Sequence, residues 1–136
     1  MNEIAEIGIF GGTGIYDSGL LKDSKEISID TPYGKTSDSI TVGEFNGKKV
    51  AFMPRHGKKH TIPPHLINFR ANIWAFKELG VKRIIAPSAV GSLKEEFEPG
   101  NLALPSQFID FTKSRKGTFS EDGRVCLLYT SDAADE

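Results

Sequence analysis

The apolar run Ile4–Phe10 passes directly into the glycine-rich turn Gly11–Gly14, and this junction constrains the fold more than any other feature of the chain. A short apolar run that ends at glycines is typical of a buried strand. Small residues after a strand let backbone amides approach an oxyanion closely, and Thr13 adds a hydroxyl donor. The junction therefore predicts a strand that ends either at a ligand-binding turn or at a simple chain reversal.

Further along the chain the apolar pattern changes its period. Residues 39–53 alternate around Asn46-Gly47, which predicts a β-hairpin. Residues 64–79 have helical spacing and are followed by Gly80, which predicts one helix. The apolar stripe of this helix is expected to contain Leu66, Ile67, Phe69, Ile73, Trp74 and Phe76.

Residues 81–86 predict a short buried strand after this helix, and residues 102–105 suggest another. A strand–helix–strand succession indicates an α/β sheet, in which ligands bind at the carboxyl ends of the strands. The candidate ligand loops are therefore residues 11–14, 54–60 and 88–92.

The loop at residues 54–60 concentrates basic side chains between a strand and a helix. Arg55 offers a two-donor fork to phosphate, His56 offers another donor, and Gly57 allows a close backbone approach. The alternative is a solvated basic loop. In the third loop, Ser88 and the following amides suit an anion, or Ser88 caps a helical turn at 93–96. Three such loops together point to phosphate.

A dinucleotide-binding turn is a second hypothesis, because Gly8, Gly11 and Gly14 have a related spacing and Asp30 follows. The stricter glycine pattern fails at Asp17.

Other functional classes have less support. Seventeen basic and eighteen acidic residues give no electrostatic reason for a nucleic-acid or membrane partner. A single cysteine excludes an internal disulfide framework, and with only three histidines it leaves no ligand set for a structural zinc. The acidic N-terminus is unlike a secretory signal and favours a cytoplasmic location.

Several blocks of the chain resemble the methylthioadenosine phosphorylases of the purine nucleoside phosphorylase family, in the family's order and spacing. They occur at residues 7–14, 30–38, 55–64, 68–75, 88–93 and 98–100, and the resemblance covers about residues 4–122. The combination of the Arg55-His56-Gly57 loop and the Asn68–Ala75 segment has no reason to occur in a dinucleotide-binding enzyme, which places that hypothesis well behind.

The resemblance implies an α/β fold of the phosphorylase/hydrolase type, with a mixed central sheet flanked by helices and truncated in this chain. It also implies a pentosyltransferase of purine and methionine salvage, which converts S-methyl-5'-thioadenosine and phosphate into adenine and 5-methylthioribose 1-phosphate. The alternative within the family is a purine nucleoside or methylthioinosine phosphorylase. Inorganic phosphate is the co-substrate, no metal or organic cofactor is expected, and the complete protein is expected to form a homotrimer or hexamer.

The family's phosphate contacts, carried over by position, are Thr13, Arg55, His56, Ser88 and the backbone amide of Ala89. Ser88 stands where the family often has threonine, and serine keeps the hydroxyl donor. The family's base-site residues lie further downstream, so the catalytic residues stay unassigned and the chain by itself is expected to be inactive. His60 and His65 are expected to cap and pack the helix start.

The last eleven residues carry no motif that resembles the family, and we expect them to be foreign to it. Codons for residues 126–136 can be read back as a transposon-type sequencing-library adaptor. We therefore expect residues 1–125 to be the N-terminal part of a nucleoside phosphorylase domain and residues 126–136 to be a non-native tail, with a natural acidic tail as the alternative.

Overall fold

The computed structural model describes residues 4–12, 20–113 and 115–120. The chain divides into two compact units, residues 1–90 and residues 91–136. Among the described residues, the regular elements all lie in the first unit. They are β1 (Ile7–Gly11), β2 (Lys22–Ile27), β3 (Ile40–Phe45), β4 (Lys48–Pro54), a 3-10 turn (Pro64–Leu66), α1 (Phe69–Glu78) and β5 (Arg83–Ile85).

The described strands form one mixed sheet in the order β2-β3-β4-β1-β5. β1 pairs in parallel with both β4 and β5, whereas β2, β3 and β4 pair antiparallel. The sequence-based prediction of a mixed α/β sheet is therefore confirmed. Because β1, β4 and β5 run in the same direction, their carboxyl ends lie at one edge of the sheet.

The predicted hairpin is present as β3 and β4. Asn46 has φ +48° and Gly47 has φ +77°, so both central residues of the turn adopt left-handed backbone conformations. Such a turn matches the right-handed twist of the paired strands, which is why the Asn-Gly pair favours a two-residue hairpin. The hairpin fixes β4, whose last residue, Pro54, precedes the basic loop.

The predicted helix over 64–79 begins five residues later than expected. A 3-10 turn occupies Pro64–Leu66, and the α-helix proper begins at Phe69. Asn68 explains the boundary because its side-chain oxygen accepts the amide of Ala71 at 3.1 Å, an N-cap interaction. Gly80 follows the helix end with φ +82°, in agreement with the predicted stop.

The buried face of α1 also differs from the predicted stripe. Ala71, Ala75 and Phe76 are buried, whereas Leu66 and Ile73 are exposed. The stripe shifts because Ala71 and Ala75 bring the helix close to the sheet, where Phe76 stacks on Phe10 with ring centroids 4.6 Å apart. The core of the first unit consists of Ala5, Phe10, Ile40, Val42, Ala51, Met53, Ala75, Phe76 and Leu79.

Two strand predictions require correction. The strand predicted over 81–86 is present as β5, but its three residues are exposed, because β5 is an edge strand and not a buried one. Residues 102–105 form no strand, and Leu102 and Leu104 are almost fully exposed. No strand was predicted for β2, whose charged sequence suits the opposite edge of the sheet.

The described part of the second unit, residues 91–113 and 115–120, contains turns and irregular backbone. The amide of Phe97 donates to the carbonyl of Lys94 at 3.3 Å, which closes a turn where a helical turn was expected. Ser92 Oγ accepts the amide of Lys94 at 3.0 Å. Because residues 93–96 form a turn and no helix, the alternative role of Ser88 as an N-cap is wrong.

Within the described ranges, none of the helices is both long and apolar enough to cross a bilayer. The proposed boundary between residues 125 and 126 lies outside the described residues. Both parts of that domain assignment stay predictions.

Candidate functional site

The loops that follow β1 and β4 are joined by the backbone. The amide of Arg55 donates to the carbonyl of Gly11 at 3.0 Å, which extends the parallel pairing of β1 and β4 beyond Pro54. Arg55 therefore leaves the sheet beside Gly11. The first residues of the two loops that the sequence indicated as anion-binding are neighbours at the carboxyl edge of the sheet.

The side chain of Arg55 reaches the third loop, which follows β5. Its Nη1 donates to the carbonyl of Pro87 at 2.9 Å, and its Nη2 donates to Ser88 Oγ at 3.0 Å. β1 lies between β4 and β5 in the sheet, so the guanidinium spans the end of the central strand. One side chain thus connects all three loops.

The guanidinium lies against the backbone of Gly12. A Cβ atom at this position would be 2.5 Å from Arg55 Nη2 and 2.7 Å from Cζ, which is too close unless the guanidinium moves. Glycine at residue 12 therefore allows Arg55 to take this position. The site combines a partly buried cation with a closely approached backbone, an arrangement suited to an oxyanion.

His56 is buried and has contacts on both ring nitrogens. Its Nδ1 lies 2.9 Å from the carbonyl oxygen of Ile62, and its Nε2 lies 3.3 Å from Arg55 Nε. A carbonyl only accepts and Arg55 Nε only donates, so the tautomer with hydrogen on Nδ1 satisfies both contacts. In this form His56 orients Arg55.

The basic loop is an ordered turn, and the hypothesis of a wholly solvated loop is wrong for its first half. Gly57 has φ +75°, and its amide donates to the carbonyl of Pro54 at 2.9 Å. The amide of His60 then donates to the carbonyl of Gly57 at 2.9 Å, and the His60 ring lies 4.8 Å from that of His56. His60 therefore packs on His56, whereas its expected role at the helix start stays a prediction.

The lysine side chains of this loop point to different surroundings. Lys59 is exposed, and Lys58 forms an ion pair with Glu26 at the end of β2. The hydrogen bond from Lys58, followed by one from Ser39, lowers the pKa of Glu26 below its usual range. The same bond to Glu26 raises the pKa of Lys58. The Lys58 side chain is therefore bound to Glu26 and not to the groups that contact Arg55.

The structure brings together three of the predicted phosphate contacts, Arg55, His56 and Ser88. Ala89 follows Ser88 directly and is exposed. Thr13 lies outside the described residues, so its assigned role stays a prediction.

The sheet order contradicts the dinucleotide-binding hypothesis. That arrangement needs an acidic residue at the end of a strand that lies parallel to β1 and beside it. Asp30 follows β2, which lies at the far edge of the sheet with β3 and β4 between it and β1. The acidic residue is thus separated from the glycine turn.

Sequence reasoning missed three groups that shape the site. The carbonyls of Pro87 and Ile62 leave no side-chain signal, since any residue supplies a carbonyl. Asp38, which holds the amide of Lys58 at 2.7 Å, is one of eighteen acidic residues in the sequence. Its position inside one of the family-like blocks was its only distinguishing mark.

Comparison with known proteins gives one family and a consistent set of relatives. The Phosphorylase superfamily matches residues 6–136. An S-methyl-5'-thioadenosine phosphorylase of Nitrosopumilus maritimus is 75% identical over 132 residues, which are 97% of this chain and 50% of that protein. The protein of the same name from Saccharolobus solfataricus is 58% identical over 131 residues, 96% of this chain and 48% of that protein.

Solved structures give the same result. A methylthioadenosine phosphorylase from an antarctic soil metagenomic library matches with 47% identity and a TM-score of 0.65, over 72% of this chain and 34% of that one. The Schistosoma mansoni enzyme in complex with adenine matches with 43% identity and a TM-score of 0.67, over 71% and 34%. The chain spans about half the length of the curated relatives it matches.

Proposed function

Because this chain belongs to the phosphorylase superfamily, we propose that it is the N-terminal part of a protein that cleaves S-methyl-5'-thioadenosine with inorganic phosphate. The products are adenine and 5-methylthioribose 1-phosphate. The proposal is supported by relatives that carry the name of this activity and are 50–75% identical to the chain. The 75% identity to one of them favours methylthioadenosine over the purine nucleoside and methylthioinosine alternatives.

The observation that carries the proposal is the position of Arg55. Its guanidinium spans the ends of three parallel strands and lies against Gly12. Three of its five N–H groups have acceptors among the described residues, namely His56 Nε2, the carbonyl of Pro87 and Ser88 Oγ. The remaining two N–H groups supply the donor fork for phosphate.

The other proposed contacts surround this fork. Ser88 Oγ already accepts from Arg55, so its own hydrogen is available to a phosphate oxygen. The amide of Ala89 and the hydroxyl of Thr13 complete the proposed set. His56 belongs to the proposed set because its Nε2 accepts from Arg55 Nε and so orients the guanidinium.

These groups would place phosphate for attack on the sugar. A phosphate oxygen forms a bond to the anomeric carbon while the bond from that carbon to the purine nitrogen breaks. The bonding electron pair leaves with the purine, which takes up a proton. The bound phosphate also stabilises the positive charge that develops on the pentose in the transition state. No residue of this chain is assigned to the proton transfer or to recognition of the base.

The remaining properties expected from the family resemblance stay predictions. They are assembly of the complete protein into a homotrimer or hexamer, a cytoplasmic location, and activity without a metal or organic cofactor. Assembly can be examined by sedimentation, and metal independence by assay in the presence of a chelator, on the same preparation of the complete protein.

The test is purine release from methylthioadenosine by the complete protein, with and without phosphate. The proposal predicts release that depends on phosphate and yields a pentose 1-phosphate in equal amount. Release without phosphate would indicate a hydrolase, and release from inosine in preference to methylthioadenosine would indicate the alternative substrate class.

A further inference from the structure

The segment that carries Arg55 and His56 is held at both ends. At its start, the amide of Arg55 donates to Gly11. At its end, the amide of Lys58 donates to Asp38 Oδ2 at 2.7 Å, across twenty residues of sequence. Only His56 and Gly57 lie between these two fixed points. The Asp38 contact therefore contributes to fixing the backbone that carries His56, together with the hydrogen bonds within the turn.

Both oxygens of Asp38 are occupied by backbone donors. Oδ1 accepts the amide of Ser39 at 2.8 Å, and Oδ2 accepts the amide of Lys58. A carboxylate offers acceptors on both oxygens, whereas the side-chain amide of an asparagine offers only one. Hydrogen bonds from backbone amides to an ionised acceptor are also stronger than those to a neutral one.

Asp38 is itself fixed through the preceding residue, Ser37, which is hydrogen-bonded to Asn72. Asn72 is fully buried on α1, its Oδ1 accepts the amide of Ser37 at 2.8 Å, and its Nδ2 donates to Ser37 Oγ at 2.8 Å. A buried amide that lost these partners would be left unsatisfied, so the contact is strongly favoured. The Ser37-Asp38 segment is thus anchored to the helix that packs on the sheet.

The turn lies directly against this anchored segment. A Cβ atom at Gly57 would be 3.6 Å from the carbonyl oxygen of Ser37 and 3.7 Å from Asp38 Oδ2, which is ordinary contact distance. The anchor and the turn therefore pack together, and a shift of one would move the other.

We propose that Asp38 is a positioning residue of the phosphate site, which acts through the Lys58 amide to hold His56 and Arg55 in register. This inference rests on the proposed function, since it assigns Asp38 to the binding of the phosphate co-substrate. Asp38 does not touch the ligand. Its loss is expected to weaken phosphate binding selectively, because the residues expected to bind the base lie downstream of this chain.

The test is steady-state kinetics of Asp38→Asn in the complete protein, with Asp30→Asn as the matched control. Asparagine keeps the shape of the side chain but replaces one acceptor oxygen by an NH2 donor. This donor would face a backbone N–H, which cannot accept a hydrogen bond. We expect the KM for phosphate to rise about tenfold or more, as loss of a charged hydrogen bond implies, with little change in the KM for methylthioadenosine. Asp30 is exposed on the same connection and its variant is expected to behave like the unmodified protein.

Two outcomes would overturn the inference. An unchanged KM for phosphate, with a lower kcat or a lower melting temperature, would mean that Asp38 only stabilises the fold. If the unmodified protein shows no phosphate-dependent turnover, the proposed function fails and the positioning role fails with it. If the unmodified protein is a phosphorylase but its KM for phosphate is not changed by Asp38→Asn, only the positioning role is rejected.

Amide hydrogen exchange keeps the inference testable if Asp38→Asn does not fold. In the unmodified protein, the amide of Lys58 is expected to exchange about tenfold or more slowly than that of the adjacent, exposed Lys59, because only the former is held by Asp38. Equal exchange rates would show that the Asp38 contact does not persist in solution and would overturn the inference.

Discussion

Arg55 Nη2 donates a hydrogen bond of 3.0 Å to Ser88 Oγ, and this contact joins residues that are 33 positions apart in the chain. Arg55 follows β4 and Ser88 follows β5, so the contact crosses the end of β1, which lies between these two strands. The crossing is possible because Gly12 has no side chain, so the guanidinium can rest on the backbone. The geometry of the proposed phosphate site thus depends on a glycine as much as on a charge.

Substitution of Gly12 by alanine is expected to impair phosphate use without unfolding the protein. The new Cβ would meet only the end of the Arg55 side chain, at 2.5 Å from Nη2, and that side chain can move. Displacement of the guanidinium by about 1 Å is enough to lower kcat/KM for phosphate about 100-fold. Steady-state kinetics and a melting curve of the complete protein measure the two effects separately.

Gly117→Ala is the matched control for this experiment, because a Cβ at Gly117 would meet nothing within 4 Å. The variant with both Gly12→Ala and Arg55→Ala should be no worse than Arg55→Ala alone. A Gly12→Ala protein with normal phosphate kinetics would mean that Arg55 does not lie against this backbone.

Gly8→Ala is expected to reduce stability instead of activity. The added Cβ would lie 2.8 Å and 2.9 Å from ring carbons of Phe76 and 3.0 Å from Val81 Cγ1. Phe76 is fully buried and stacked on Phe10, so it has no room to move. Overpacking of this kind lowers the free energy of unfolding by about 1 to 3 kcal/mol.

Denaturant unfolding of the complete protein measures this loss, and a double-mutant cycle assigns it to the ring. In a Phe76→Leu background the effect of Gly8→Ala should be smaller, because the clashing atoms are gone. Strict additivity of the two substitutions would contradict direct contact between Gly8 and Phe76.

The Glu26–Lys58 ion pair is expected to make a small, pH-dependent contribution to stability. Because the pKa of Glu26 is lowered, mainly by the hydrogen bond from Lys58, its contribution is present above the usual pKa of a glutamate and is lost as the pH falls through the lowered value. Because the pKa of Lys58 is raised, its contribution is present below the usual pKa of a lysine and is lost as the pH rises through the raised value.

Melting temperatures of the unmodified protein and of Glu26→Gln, measured across pH, test this window. The difference between them should be largest near neutral pH, should shrink at both extremes, and should fall with added salt. It should stay small because both side chains are exposed. A difference that is constant over the whole pH range would rule out an ionic origin.

Much of this architecture could be predicted from local sequence signals. Asn46-Gly47 specifies a turn that few other residue pairs adopt, so the hairpin could be predicted from these two residues. The strand that ends near Phe10 and the basic loop after Pro54 were placed correctly because of strong strand patterns, whereas residues 13 and 14 of the predicted glycine turn lie outside the described residues. Since parallel strands end at a common edge, the meeting of Arg55 with Ser88 was a consequence of the predicted fold.

The errors have a common physical origin in tertiary contacts. The helix begins at Phe69 because Asn68 caps it, whereas the apolar pattern extends further back. Its buried face is centred on Ala71 and Ala75, which pack closely although they contribute little to an apolar stripe. β2 escaped prediction because an exposed edge strand carries charged residues and no alternating pattern.

The contribution of Asp38 illustrates a different limit. A carboxylate that accepts backbone amides looks the same in sequence as a solvated one. Only the fold brings Asp38 to the amide of Lys58, twenty residues away. Positioning residues of this kind become visible once the backbone is traced.

Arg55→Ala in the complete protein tests the central claim most directly, through kcat/KM for phosphate in the release of adenine from methylthioadenosine. Arg83→Ala is the matched control, since Arg83 is exposed on the edge strand and pairs with Glu6 at 3.3 Å. We predict that Arg55→Ala loses about 2 to 4 kcal/mol of transition-state stabilisation, the effect of removing an oxyanion donor, while Arg83→Ala loses little. A loss below about tenfold for Arg55→Ala would contradict its assignment as a phosphate ligand.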